Sequence, residues 1–252
     1  MKLEFKKDAL LNGINIVSKA IPSRTTMSIL ECILIDADAG EIKLTGNDME
    51  LGIETKVEGS ILERGKIALE AKLFYEIIRK LPDGDTPVTI TSDNRFNTVI
   101  ECENAVFNIQ GRDGEEFSYL PYIERDQHIS LTQFTLKEAI RQTIFSIYPN
   151  DSNKMMAGEL LEVKDDFLKV VSLDGHRISI RNIQLKEHYD THKVIVPGKT
   201  LSEISKILTG DNEKEVLIYF SKNHILFEFD DTVVVSRLID GEYFKIDHML
   251  SS

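Results

Sequence analysis

The sequence predicts an α+β fold: two tandem copies of one domain, each with two helices packed on antiparallel sheet. Three observations predict it. The segment Lys72-Leu73-Phe74-Tyr75-Glu76-Ile77-Ile78-Arg79-Lys80-Leu81 recurs 127 residues later as Lys199-Thr200-Leu201-Ser202-Glu203-Ile204-Ser205-Lys206-Ile207-Leu208. Two stretches in each half carry apolar residues at spacings of three and four, the pattern of a helix buried along one side. The remainder is rich in short apolar runs separated by Gly, Asp and Asn, the signature of strands joined by turns.

Taken in order, the start Met1-Lys2-Leu3-Glu4-Phe5-Lys6-Lys7 alternates apolar and charged residues and lacks the apolar run of a secretion signal. Leu10, Ile14, Val17 and Ile21 predict the first helix. Ile33-Leu34-Ile35 predicts a strand, with a turn at Ala39-Gly40. Lys43 to Asp48 returns 126 residues later as Lys169 to Asp174. The second helix follows the β-rich Lys66-Ile67-Ala68-Leu69 and ends near Asp83-Gly84-Asp85; its counterpart follows Val194-Ile195-Val196-Pro197 and ends near Gly210-Asp211-Asn212. Val88-Thr89-Ile90 is a strand before the turn Ser92-Asp93-Asn94, and Asp113-Gly114-Glu115 maps onto Asp240-Gly241-Glu242 at a shift of 127. The copies are expected to join near Arg125-Asp126-Gln127-His128, giving domains 1–126 and 127–252. Lys7-Asp8-Ala9-Leu10 matches Lys137-Glu138-Ala139-Ile140 at a shift of 130, with Ile140, Ile144 and Ile147 as the buried stripe. Val216-Leu217-Ile218 and Val233-Val234-Val235 are strands, with a turn at Lys222-Asn223.

Composition narrows the function. With 252 residues, 42% of them hydrophobic, the chain can build real cores. Thirty Lys and Arg against 42 Asp and Glu give a net charge of −12, which excludes a protein that coats nucleic acid with its whole surface but not one with a local basic stripe. Cys32 and Cys102 lie in apolar, strand-like segments and read as reduced core thiols. No metal-ligand spacing and no membrane-length apolar run is present, so a soluble cytoplasmic protein without metal or cofactor is expected.

The helix charges carry the functional signal. Lys72, Tyr75 and Arg79 share a face at spacings of three and four, as do Lys199, Ser202 and Lys206. Both copies thus set two cations at equivalent positions, a track for a polyanion in an acidic chain. Asn12, Asn15 and Lys19 form a weaker stripe, followed by Arg24, and Arg141 and Gln142 hold comparable ground in the second copy. A Lys or Arg on a helix face is more often only solubilising, and Glu76 and Glu203 dilute the stripe. Asp174, His176 and nearby serines invite a hydrolase reading. No GxSxG, HExxH or P-loop supports it, and the constellation is not repeated in the first copy, so no catalytic residue is expected.

Thr45-Gly46-Asn47-Asp48-Met49-Glu50-Leu51-Gly52-Ile53, Ser172-Leu173-Asp174-Gly175-His176-Arg177-Ile178, Pro22-Ser23-Arg24, Val196-Pro197-Gly198-Lys199 and Ser236-Arg237-Leu238-Ile239-Asp240-Gly241-Glu242-Tyr243 together resemble the bacterial DNA sliding clamp, the beta subunit of DNA polymerase III. The Asp-Gly-His-Arg segment is the most specific, and the resemblance covers essentially the whole chain. It implies a non-catalytic processivity ring that encloses duplex DNA without regard to sequence, with helices facing the DNA. By family position the DNA-lining residues are Arg24, Lys72, Arg79, Asn150, Lys199 and Lys206.

The resemblance also implies a pocket for short peptides of DNA polymerase III, the clamp-loader subunits, other polymerases and repair proteins. Its matching residues are Leu173, Gly175, His176, Arg177, Ile178, Phe244, His248 and Met249, with Met156 nearby. Leu173 and Phe244 stand where the family usually has Thr and Pro, so a narrowed pocket or altered peptide preference is expected. Family members have three such domains and close as head-to-tail homodimers, and this sequence stops at Asp247-His248-Met249-Leu250-Ser251-Ser252, where the third would begin. The expectations are that the third domain is absent and that the chain alone is a monomer or weak oligomer. A truncated or short clamp-like protein that binds partner peptides without closing a ring is the alternative, and no membrane partner is expected.

Overall fold

A computed structural model of the chain describes residues 1–148, 153–246 and 249. It divides into two compact units, one of Met1–Pro121 with Asp231–Val234, the other of Tyr122–Asp230 with Val235–Ser252.

The first unit holds β1 (Lys2–Phe5), α1 (Lys7–Val17), β2 (Cys32–Asp36), β3 (Lys43–Asn47), β4 (Leu51–Lys56), β5 (Gly59–Glu63), β6 (Lys66–Glu70), α2 (Ala71–Lys80), β7 (Val88–Ser92), β8 (Asn97–Cys102), β9 (Ala105–Gln110) and β10 (Arg112–Asp113). One antiparallel sheet has the order β5-β1-β7-β8-β9, and a second run has the order β10-β6-β2-β3-β4. The helices pack side by side, α1 on β3 and β4 and α2 on β6. The close seat of α1 depends on two glycines: a Cβ on Gly46 would lie 2.3 Å from the Val17 carbonyl oxygen, and one on Gly13 would lie 2.5 Å from Val57. Both cysteines are buried free thiols, and burial pushes each thiol's pKa up.

The second unit holds β11 (His128–Thr132), α3 (Gln133–Thr143), β12 (Gly158–Leu173), β13 (Ile178–Pro197), α4 (Gly198–Ile207), β14 (Glu215–Phe220), β15 (His224–Phe229) and, from Val235 on, the end of β16 (Thr232–Arg237). The long hairpin β12–β13 breaks register near Asp165, and β11, β14 and β15 pair antiparallel. Helices α3 and α4 pack against each other and on the hairpin.

The helix–sheet packing matches the fold expected, with four adjustments. Helix α1 ends at Val17 and passes into a 3-10 turn, Ser18–Ala20, so Ile21 lies past the helix. Helix α3 likewise ends at Thr143, which leaves Ile144 in a 3-10 turn and Ile147 beyond it. Leu73, whose spacing from Ile77 predicts a place on the apolar face of this helix, is 46% exposed; Phe74, Ile77 and Ile78 form the buried stripe of α2. Finally, the opening helices correspond at a shift of 126 rather than 130: Leu10, Gly13, Ile14 and Val17 are buried, as are Leu136, Ala139, Ile140 and Thr143.

The 130-residue match has its own physical basis. Lys7 donates from Nζ to the Leu81 carbonyl at 2.6 Å, and Lys137 donates to the Leu208 carbonyl at 2.7 Å. Leu81 and Leu208 are the C-caps of α2 and α4. Each lysine therefore neutralises the negative end of its neighbouring helix. The two do so from adjacent turns, which displaces the sequence match by about one helical turn.

Candidate nucleic-acid interface and partner pocket

On α2 the carboxylate of Glu70 caps the helix, accepting from the backbone N–H groups of Lys72 and Leu73 at 3.1 and 2.7 Å. Burial of Phe74, Ile77 and Ile78 turns Lys72 and Arg79 outward, and both are exposed. On α4, burial of Thr200, Leu201 and Ile204 does the same for Lys199 and Lys206. Arg24 is exposed in the segment between α1 and β2. Asn150 lies outside the described residues.

Within the first unit, Asn15, Ser18, Lys19, Ile21, Ala71, Lys72 and Tyr75 line a hollow of about 380 Å³ between α1 and α2. It brings Lys19, in the 3-10 turn after α1, together with Lys72 of α2, two cations placed to meet a phosphate over a largely apolar lining.

The exposed cations are not bare. Arg79 Nη2 donates to Glu76 Oε2 at 2.8 Å, Lys206 Nζ to Glu203 Oε1 at 2.7 Å, and Arg141 Nε and Nη2 to the two Glu138 oxygens at 2.8 and 2.7 Å. The Arg79 hydrogen bond holds the Glu76 carboxyl below the usual range, and Arg141 does the same for Glu138.

In the second unit, β12 and β13 are joined by the turn Asp174-Gly175-His176-Arg177. Asp174 Oδ1 accepts from the backbone N–H groups of His176 and Arg177 at 3.1 and 3.2 Å, and Gly175 takes the left-handed conformation at φ +86°. The His176 N–H, then the Arg177 guanidinium, keep the Asp174 carboxyl below its ordinary pKa. Asp174 is thus bound to its own turn rather than to an imidazole. The first unit repeats this turn at Asp48-Met49-Glu50-Leu51, where Asp48 Oδ1 accepts from Glu50 and Leu51 and Met49 has φ +74°.

Beside the turn lies an apolar cluster. Leu160, Val171, Leu173, Ile195, Tyr243 and Ile246 are buried, and the half-buried Met155, Met156, Ile178, Ile180, Ile239 and Phe244 pack on them. The structure therefore gathers Met156, Leu173, Ile178 and Phe244. Leu173, only 2% exposed, is floor beneath the cluster rather than a lining residue. Phe244 packs edge-on against Tyr243, with ring centroids 5.6 Å apart. Gly175, His176 and Arg177 are exposed on the turn, and Met249 is 46% exposed. His248 lies outside the described residues.

Sequence reasoning missed Phe145. Its ring lies 5.5 Å from the Arg177 guanidinium, which Asp174 Oδ2 also holds at 2.8 Å from Nε. The available signal is that Phe145 falls off the stripe of Ile140, Ile144 and Ile147; it lies in the 3-10 turn after α3 and is 56% exposed. The twofold repeat also explains why the copies differ here. Gly52 stands 126 residues before Ile178, and a Cβ on it would lie 2.0 Å from Leu120. Leu120 thus covers in the first unit the spot where the second presents Ile178.

A third hollow, about 420 Å³, is lined by Asp126, His128, Glu187, His188, Asp190 and His192 among others. His192 stacks on Phe220 and His128 tilts against Tyr219. Among the described residues no group of three or more His, Cys, Asp or Glu is placed to hold a metal ion.

Comparison with known families matches residues 1–121 to the N-terminal domain of the DNA polymerase III beta subunit and residues 130–245 to its central domain. The chain is also 66% identical to a candidate DNA polymerase III beta subunit from Eubacterium rectale ATCC 33656, whose crystal structure superposes with a TM-score of 0.97 over 100% of this chain and 68% of that one. The chain belongs to the bacterial sliding clamps. Its two compact units are two tandem clamp domains, with few helices on antiparallel sheet. It is similar to the Bacillus subtilis sliding clamp at 33% identity and a TM-score of 0.94, covering 99% of this chain and 67% of that one. It is 35% identical to the beta sliding clamp of Staphylococcus epidermidis over 96% of its own length, and it spans 66% of that relative. Among the described residues, no helix of these clamp domains is long and apolar enough to cross a membrane.

Proposed function

We propose that the chain acts in DNA replication as a sliding clamp: it encloses duplex DNA and tethers DNA polymerase III. The observation that supports this best is the recurrence of exposed cations on α2 and α4, in a chain of the clamp family whose net charge is −12. Arg24, Lys72, Arg79, Lys199 and Lys206 are the proposed DNA contacts, joined by Asn150. Each meets phosphate, so the contact carries no base information and weakens with salt. A few such contacts suffice because enclosure, not affinity, keeps a ring on DNA.

The cluster of Met156, Ile178 and Phe244 over Leu173, with the turn residues Gly175, His176 and Arg177, is the proposed seat for partner peptides, and His248 and Met249 are proposed as further members of the site. An apolar floor with few polar groups anchors one or two hydrophobic side chains. The clamp-loader subunits, other polymerases and repair proteins would compete for it in the cytoplasm. The role is non-catalytic and takes no cofactor. Binding Asp174 into its turn removes the acid a Ser-His relay would need.

Retention on closed circular DNA tests enclosure. With clamp loader and ATP, the protein is expected to stay on the circle and to leave once the circle is cut. Equal, loader-independent binding to circular and linear DNA, or retention on neither, would contradict enclosure and favour a peptide-binding protein that closes no ring.

A further inference from the structure

We propose that Glu76, Glu138 and Glu203 are positioning residues that hold the DNA-facing cations in reserve, so that the helices meet phosphate without gripping it. The proposal rests on the DNA reading above. Of helices α1 to α4, three carry the same device: a glutamate three residues before an exposed cation, the pair joined at 2.7–2.8 Å. Glu76 with Arg79 and Glu203 with Lys206 are equivalent at the 127-residue shift. Asn12 and Asn15 stand 126 residues before Glu138 and Arg141, so α1 carries a neutral pair where α3 carries a charged one. Local charge at these positions is therefore balanced on every helix.

The physical consequence follows from competition. A phosphate that engages Arg79 meets a guanidinium that already gives one donor to Glu76 Oε2, and it is repelled by that carboxylate beside it, so the net attraction is reduced. The contact then gains little and is quickly given up, which is what movement along DNA requires. Helix stabilisation alone is a weaker explanation: an exposed pair of this spacing adds little to stability. Nor does that explanation require the pairs to fall on the proposed DNA faces of both units.

The test compares three variants with wild type for binding to a short linear duplex over a range of salt, with thermal melting as a check on folding. Replacing Glu76→Gln, Glu138→Gln and Glu203→Gln together is expected to tighten binding roughly five- to tenfold, about twofold for each cation released from an exposed pair. It should also steepen the slope of log K against log salt, by up to about 0.9 for each new phosphate contact. A control carrying Glu101→Gln, Glu124→Gln and Glu187→Gln makes the same change in net charge at exposed sites off these helices. Equal tightening in that control would reduce the effect to net charge and overturn the proposal. The third variant carries Arg79→Ala, Arg141→Ala and Lys206→Ala. If it binds more weakly while the glutamine triple binds as wild type does, the proposal falls and the DNA reading stands. If neither triple changes binding, the DNA reading falls with it.

Discussion

Replacing Glu159 by Gln raises the melting temperature at pH 8 and flattens the loss of stability that the wild-type protein shows as pH rises from about 5 to 8. Glu159 is the second residue of β12 and is fully buried. Its Oε2 lies 3.1 Å from Thr143 Oγ1, and its Oε1 has no partner. Burial pushes its pKa up from 4.5 to about 8, opposed only by the Thr143 hydroxyl. At pH 7 the group is therefore largely a neutral acid, in hydrogen-bond contact with the Thr143 hydroxyl through Oε2.

The sign follows from proton linkage. Below about pH 4.5 both the folded and unfolded states hold the proton. Between there and about pH 8 only the folded state holds it, so the unfolded state gains and stability falls with rising pH. Above that both states are ionised and the loss is complete. At 1.36 kcal/mol per pKa unit the complete loss is on the order of 5 kcal/mol. The amide oxygen of the Glu159→Gln variant can accept from the Thr143 hydroxyl as the carboxyl does, and the amide cannot ionise. Tyr243, the other titratable group nearby, is raised by burial and by the Glu159 charge, out of this pH range. Denaturation of both proteins across pH 5–9 checks this, and parallel curves would contradict it.

Replacing Ile178 by Asp is expected to weaken binding of a labelled DNA polymerase III clamp-binding peptide at least tenfold, while duplex DNA binding stays as it is. Ile178 opens β13 and is half-buried against the cluster that includes Leu173 and Phe244. A carboxylate there must be desolvated whenever an apolar anchor is seated, which costs several kcal/mol without a compensating partner, and 1.4 kcal/mol is already tenfold. Ile178→Ala, which removes contact without adding charge, should fall between the two. Unchanged peptide affinity in the Asp variant would remove this surface from the peptide site.

Much of this was legible in the sequence because repetition and periodicity are local properties. The α2 and α4 segments could be paired residue by residue, since each buries one stripe and turns the same two cations out. The register of α1 against α3 was not legible. Lys7 and Lys137 cap neighbouring helices from different turns, and the sequence matches function there rather than backbone position. The exposure of Leu73 was hidden for a related reason: Phe74 and Ile78 take the core on the adjacent spacing. The apolar cluster drew on residues 155–180 and 239–246, a convergence that no spacing reports, and so Phe145 and Met155 escaped notice. The buried carboxyl of Glu159 was invisible as well, because nothing in Gly-Glu-Leu-Leu marks both faces of the strand as dry.

The central claim is that duplex DNA meets the helices and not the outer strands, and site-specific photocrosslinking tests it most directly. A photoreactive residue is placed in turn at Tyr75 and Ser202, between the cations of α2 and α4, and at the exposed sheet positions Asn108 in β9 and Asn182 in β13. The clamp reading predicts crosslinks to duplex DNA from both helix positions, lost at high salt, and none from the sheet positions. Crosslinks from the sheet positions alone, or of equal yield from all four, would contradict it.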